Sequence, residues 1–190
     1  MLKTSIEESH CCGCGACAQA CPKGALKMSA DADGFLYPAL DAQKCVNCGL
    51  CEKVCPVSES SLKKLAFRRA EKSMAAVSKD KENARESSSG GAFSVLARAF
   101  AGNGECAFFG AEALGLFKVE HRAAKNIEDL AAFRKSKYIP SDTKNTFAEA
   151  KEILKSGGKV VYSGTPCQIA ALKLFVGEKL WENLFCIDFS

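Results

Sequence analysis

One cysteine spacing occurs twice in this chain. The first run is Cys11-x-x-Cys14-x-x-Cys17-x-x-x-Cys21-Pro22, and the second is Cys45-x-x-Cys48-x-x-Cys51-x-x-x-Cys55-Pro56. The runs lie 34 residues apart, Cys11 to Cys45, so the motif is also an internal duplication. Four thiolates at this spacing match the four irons of a cubane iron–sulfur cluster, and the x-x intervals let one loop wrap three ligands around three irons. The Cys-Pro step keeps the loop from continuing as helix and carries the fourth cysteine away. Few residues in this stretch can build an apolar core, so bound clusters must supply much of its folding energy.

The spacing is that of bacterial two-cluster ferredoxins, in which the fourth cysteine of each run ligates the other cluster. Cluster I is therefore expected on Cys11, Cys14, Cys17 and Cys55, and cluster II on Cys45, Cys48, Cys51 and Cys21. The alternative is structural zinc, since paired Cys-x-x-Cys units also bind that ion. Each run already offers four ligands and a trailing proline, in duplicate, which favours iron–sulfur. Cys12 is off the pattern and reads as a bystander, with a three-iron or alternate-ligand role as the other reading. Gly13, Gly15 and Gly49 are expected to permit tight loop geometry.

Twelve cysteines in 190 residues would suggest disulfides in a secreted chain. The regular spacing and the lack of an apolar signal core in Met1-Leu2-Lys3-Thr4-Ser5-Ile6-Glu7-Glu8 point instead to thiolates in a reducing compartment, most simply the cytoplasm. No apolar run reaches the ~18–20 residues of a membrane span. The formal charge of +4 counts every cysteine as neutral. Cluster-bound thiolates are anionic, so the pI carries no argument for nucleic-acid binding.

The expected organisation is a ferredoxin-type module over residues 1–58, a basic linker helix over 59–72, and an α/β domain over 73–190. Within the module, residues 31–41 read as a turn and short hairpin with Gly34 in the turn. Ser58-Glu59-Ser60-Ser61 is a cap candidate for the linker, whose Lys63, Lys64, Arg68, Arg69 and Lys72 make either a solvated face or a docking face for an acidic redox partner. In the α/β domain, strands are expected at 74–77, 106–110, 117–121, 159–162 and 184–189. Helices are expected at 91–101, from Asn126 to about Arg134, at 146–155, and at 168–175. The fold class is thus α+β, a two-[4Fe-4S] module followed by an α/β flavin-binding-type domain. An apolar strand directly before Ser190 suggests a fragment of a longer protein.

Two loops in the α/β domain have the form of ligand sites. Ser87-Ser88-Ser89-Gly90-Gly91-Ala92-Phe93 opens a helix, and its N–H and hydroxyl groups suit a phosphate; as readily, it is a plain cap. Gly164-Thr165-Pro166-Cys167-Gln168 turns from strand to helix, with proline at the first helical position. Such turns leave N–H groups facing a crevice at the strand ends, though capping alone also explains them. Taken in order with Ser136-Lys137-Tyr138 and Ser141-Asp142, these motifs resemble the coenzyme F420 hydrogenase/dehydrogenase beta-subunit family. The resemblance runs over almost the whole chain. Members of that family are iron–sulfur flavoproteins that pass electrons between clusters, FAD and a soluble carrier or substrate, and they usually continue beyond this length. The resemblance implies FAD phosphates near Ser88, Ser89, Gly90 and Gly91. It implies a flavin pocket lined by Lys137, Gly164, Thr165, Pro166, Cys167 and Gln168.

Cys167 reads as a small pocket residue, as a ligand of a further cluster completed from outside this chain, or as a redox thiol. Cys106 and Cys186 sit in apolar runs and read as buried small hydrophobes. His10 and His121 are isolated; either is a candidate general acid or base, and His10 beside Cys11 is a candidate for tuning a cluster. No catalytic residue is assigned. The expected function is that of an oxidoreductase subunit working with a redox partner protein or sister subunit and a small carrier. The alternative is a ferredoxin-like electron carrier without catalysis.

Overall fold

The computed structural model describes residues 10–62 and 71–189. Most of the expected basic linker, including Lys63, Lys64, Arg68 and Arg69, lies outside the described residues, and Lys72 is exposed. The chain is a mixed α/β structure with a two-stranded and a four-stranded sheet.

The duplicated cysteine runs fold as a duplicated turn and helix. Gly15 and Gly49 take φ of 76° and 73° and open α1 (Ala16–Ala20) and α2 (Leu50–Lys53). Any Cβ-bearing residue is disfavoured at such a φ, which explains glycine at equivalent places in both repeats. Between the helices, β1 (Leu26–Ala30) pairs antiparallel with β2 (Leu36–Leu40). Their turn is held by Asp31 Oδ1, which accepts from the N–H groups of Asp33 at 3.0 Å and Phe35 at 2.8 Å, and Gly34 supplies a φ of 87°. This is the expected hairpin. Ser58 caps the short α3 (Glu59–Leu62), its Oγ accepting from Ser61 N–H at 3.3 Å.

After α4 (Lys81–Arg85) and α5 (Ala92–Ala101), β3 (Cys106–Ala113) and β4 (Val119–Ala124) form a hairpin. A 3₁₀ turn at Glu128–Phe133 precedes α6 (Thr146–Lys155), β5 (Lys159–Gly164), α7 (Pro166–Val176) and β6 (Leu184–Asp188). The sheet order is β4-β3-β5-β6, with β3, β5 and β6 parallel. Side chains alternate across this sheet. Phe109, Val160 and Tyr162 face a core built with α6 and α7, whereas Phe108 and Val161 face a second core under α5 and the 3₁₀ turn.

Two expected elements differ. Residues 74–77 form no strand: Met74 and Val77 are exposed, and the segment lies along Gly90, whose carbonyl accepts from Ser78 N–H at 2.7 Å. A short apolar run without a neighbouring strand has no ladder to join. The helix expected from Asn126 is the 3₁₀ turn, started from Ile127. Its Phe133 ring lies over Gly110 of β3 so closely that a Cβ there would meet ring atoms at 2.6 Å.

The cysteine module shares a core with the larger sheet. Cys14, Ala16 and Val54 are buried together with Phe109, Phe147, Tyr162 and Leu172. Polar contacts fix the same seam. Thr143 Oγ1 donates to the Cys14 carbonyl at 2.9 Å and accepts from Gln19 Nε2 at 3.2 Å. Gln19 Oε1 accepts from the N–H groups of Phe147 at 3.0 Å and Ala148 at 3.3 Å. Those are free donors in the first turn of α6, whose own N-cap residue Asn145 offers no side-chain bond. A side chain from the cysteine module therefore caps a helix of the α/β part.

Candidate iron–sulfur centres and an adjoining cavity

Thiols of the two cysteine runs lie within electrostatic reach of one another. Cys17 senses the thiols of Cys11, Cys55 and Cys51, while Cys51 senses Cys48 and Cys21. Two of these interactions, Cys17 with Cys55 and Cys51 with Cys21, cross between the runs. Burial, and then repulsion from Cys11 and Cys55, pushes the Cys17 thiol up to about 12. Among the described residues, no three His, Cys, Asp or Glu side chains converge closely enough to share one metal ion.

The Cys21 sulfur shows how the loop prepares a ligand. Burial alone would raise its pKa. The N–H groups of Lys23, Ala25, Leu26 and Gly24 turn toward the sulfur and more than reverse this, leaving it below the ordinary thiol range. One of these bonds, from Ala25 N–H, is 3.2 Å long. Hydrogen bonds of this kind favour the thiolate and tune a bound cluster. A cavity of about 570 Å³ is lined by Cys21, Cys45, Cys48 and Cys51. Its rim is open to solvent, with Cys48 and Val46 exposed. In contrast, Cys14 of the first run is buried against the α/β core.

A second cavity, of about 640 Å³, lies where the first cysteine loop meets the strand ends of the larger sheet. Cys11, Cys12 and Gly13 form one wall, and Gly164, Thr165, Cys167 and Gln168 form another. Lys135, Lys137 and His121 also line it. The turn at its base is held by Gln168. Its Oε1 accepts from Thr165 N–H at 3.0 Å, and its Nε2 donates to the Ser141 carbonyl at 3.3 Å and to Ser141 Oγ at 3.1 Å. A Cβ at Gly164 would stand 2.9 Å from Gln168 Oε1 and 3.4 Å from His121 Nε2. Gly164→Ala is therefore expected to cost about 1–3 kcal/mol through overpacking. Thermal or chemical denaturation of the purified variant checks this, and an unchanged midpoint would count against the packing argument.

His121 is buried and stacked on Tyr162, with ring centroids 5.3 Å apart. Its Nε2 lies 2.9 Å from the Ser163 carbonyl, which only accepts, so Nε2 carries the proton. Burial holds the ring below the ordinary histidine range and hence neutral. Nδ1 is left as a buried acceptor without a partner among the described residues. The Lys137 amine donates to the carbonyls of Ala132 and Arg134, and burial lowers its pKa.

Of the residues singled out in the sequence, the cavity unites Lys137, Gly164, Thr165, Cys167 and Gln168, while Pro166 starts α7 beside them. Ser88, Ser89, Gly90 and Gly91 are not among its lining residues. Ser88 reaches its margin, where Oγ accepts from Ser136 N–H at 3.0 Å. Gly90 and Gly91 have a packing reason to be glycine. Both take positive φ, and a Cβ would meet the Ala76 carbonyl at 2.9 Å from Gly90 and the Asn83 amide at 2.4 Å from Gly91. The side chains that sequence reasoning did not assign are Thr143 and Gln19, which join the cysteine loop to α6. Isolated Thr and Gln carry no local signal of a contact made more than a hundred residues away.

The fold and the two groups of thiols define an iron–sulfur electron-transfer module of ferredoxin type joined to an α/β unit. Residues 10–58 match the family model described as a 4Fe-4S dicluster domain. That match supports two [4Fe-4S] clusters and an electron-transfer role. No curated protein matches the chain. No helix among the described residues is long and apolar enough to cross a membrane.

Proposed function

We propose that the chain is a redox subunit of the kind implied by its resemblance to the F420 hydrogenase/dehydrogenase beta-subunit family. On this reading residues 1–58 carry the clusters, 59–72 link, and 73–190 hold FAD. Cys11, Cys14, Cys17 and Cys55 hold cluster I, and Cys45, Cys48, Cys51 and Cys21 hold cluster II. A redox partner meets the solvent-facing cysteines of cluster II, and Cys51, which senses thiols of both groups, lies on the path to cluster I.

The observation that carries the reading is the cavity of about 640 Å³ with Cys11 in one wall and the Gly164–Gln168 turn in another. A volume of this size is typical of a small-molecule or cofactor site. A flavin bound there supplies exchange between one-electron and two-electron transfer. The protein groups have separate tasks. Gly164 keeps the turn free of a side chain, and the Lys135 and Lys137 amines bring positive charge to an anionic ligand. Ser88 and Ser89, with Gly90 and Gly91, stand at the margin for the phosphates.

Anaerobic purification of the product of the full gene, with iron, sulfide and flavin quantified, tests the reading. Two clusters and about one FAD per chain are expected. Clusters without flavin would sink the flavoprotein reading and leave an electron carrier that transfers electrons between proteins.

A further inference from the structure

Two cysteines outside the cluster repeats meet on the wall of the second cavity. Cys12 lies in the first cysteine loop, and Cys167 lies in the first turn of α7. Their thiols lie close enough to perturb each other, and both line the cavity. Cys12 is also perturbed by the thiol of Cys14, so it stands between a cysteine of the first run and Cys167. Thr165 Oγ1 lies 3.1 Å from Cys167 Sγ and orients it within the turn.

Cys12 is not needed to build the cysteine loop. The equivalent position in the second repeat is Val46, and that repeat folds with the same glycine turn and helix. The two remaining cysteines outside the repeats behave differently: Cys106 and Cys186 belong to the apolar cores and line neither cavity.

We propose that Cys12 and Cys167 are a redox-active pair that cycles between dithiol and disulfide and exchanges electrons with the iron–sulfur clusters. In the reducing direction the sulfur–sulfur bond breaks, each cluster gives one electron, and two protons enter from the open cavity to form two thiols. In the oxidising direction the thiols lose two protons, the sulfur–sulfur bond forms, and each oxidised cluster takes one electron. The pair is then a two-electron store at the point where cluster I meets the cavity. Forming the bond requires the two neighbouring sulfurs to close to the ~2.05 Å of a disulfide. The inference rests on the iron–sulfur reading and is independent of whether FAD occupies the cavity.

The test uses anaerobic holoprotein equilibrated in dithiothreitol buffers of graded redox poise, quenched in acid, alkylated and mapped by mass spectrometry. The expected result is a crosslinked Cys12–Cys167 peptide in oxidising buffer with iron content unchanged, and both cysteines alkylated in reducing buffer. In a dithionite titration the wild type should take up about two more electrons per chain than Cys12→Ser, that being the demand of one disulfide. Flavin, measured separately on both proteins, is subtracted from the count. Alkylation of both cysteines at every poise would overturn the proposal, as would a crosslink seen only after iron is lost or equal uptake by the two proteins. Loss of clusters from Cys12→Ser leaves the wild-type peptide map as the deciding measurement.

Discussion

Cys55→Ser is expected to empty the centre built on the other cysteine run. Cys55 belongs by sequence to the second run, yet its sulfur stands with Cys11 and Cys17. Losing it leaves Cys11, Cys14 and Cys17 with one ligand short, while Cys45, Cys48, Cys51 and Cys21 remain complete. Iron should fall from about eight to about four atoms per chain. Rapid alkylation should then label Cys11, Cys14 and Cys17, with the second run protected. Cys21→Ser should give the reciprocal pattern, labelling Cys45, Cys48 and Cys51. Iron and sulfide analysis with peptide mapping of both variants checks this. If each substitution instead exposed the cysteines of its own run, the crossed assignment would fail. The expected effect is large because a cubane corner left without its thiolate loses one of its four protein ligands.

Phe147→Ala is expected to destabilise the holoprotein by about 3–5 kcal/mol, the range for deleting a buried aromatic ring. Phe147 is fully buried, with ring centroids 5.6 Å from Tyr162 and 6.0 Å from Phe175. It lies in the core that also contains Cys14, Ala16 and Val54. Its N–H is one of the two held by Gln19. The cavity left behind would therefore open at the seam between the cysteine module and α6. For a chain of this size the loss corresponds to a fall of roughly 6–20 °C in Tm. Circular dichroism and the visible absorbance of the clusters, followed through the same melt, should shift together. A circular dichroism transition that moves while the cluster absorbance does not would show that the two parts unfold independently, against the shared core.

The duplication explains why so much of the module could be read directly. Ligand type, spacing and the Cys-Pro step are local properties, and cluster chemistry permits few alternatives at that spacing. The glycines at 15 and 49 are local as well, since a φ near 75° selects them whatever surrounds the turn. Helices with clear apolar spacing, such as α5 and α6, were legible for the same reason. The segment at 74–77 is apolar yet forms no strand, because apolar content alone does not make one. A partner edge is required, and the chain lays this segment against Gly90 instead. The Ser88–Gly91 loop was read for phosphate, whereas close approach to Asn83 and Ala76 already accounts for its two glycines.

What the sequence determined by itself is the chemistry of the cysteines: two sets of four thiolates, repeated at 34 residues, that suit two cubane clusters. Only the tertiary structure decided what stands beside them. It joined Cys14 to Thr143, seated Gln19 on the first turn of α6, and brought Cys12 and Cys167 to one cavity. The physical reason is one of range. Ligand spacing acts within a loop, where a few residues set the geometry. The shared core and the meeting of distant thiols depend on which faces of α1, α6 and α7 bury together, and no short stretch of chain encodes that.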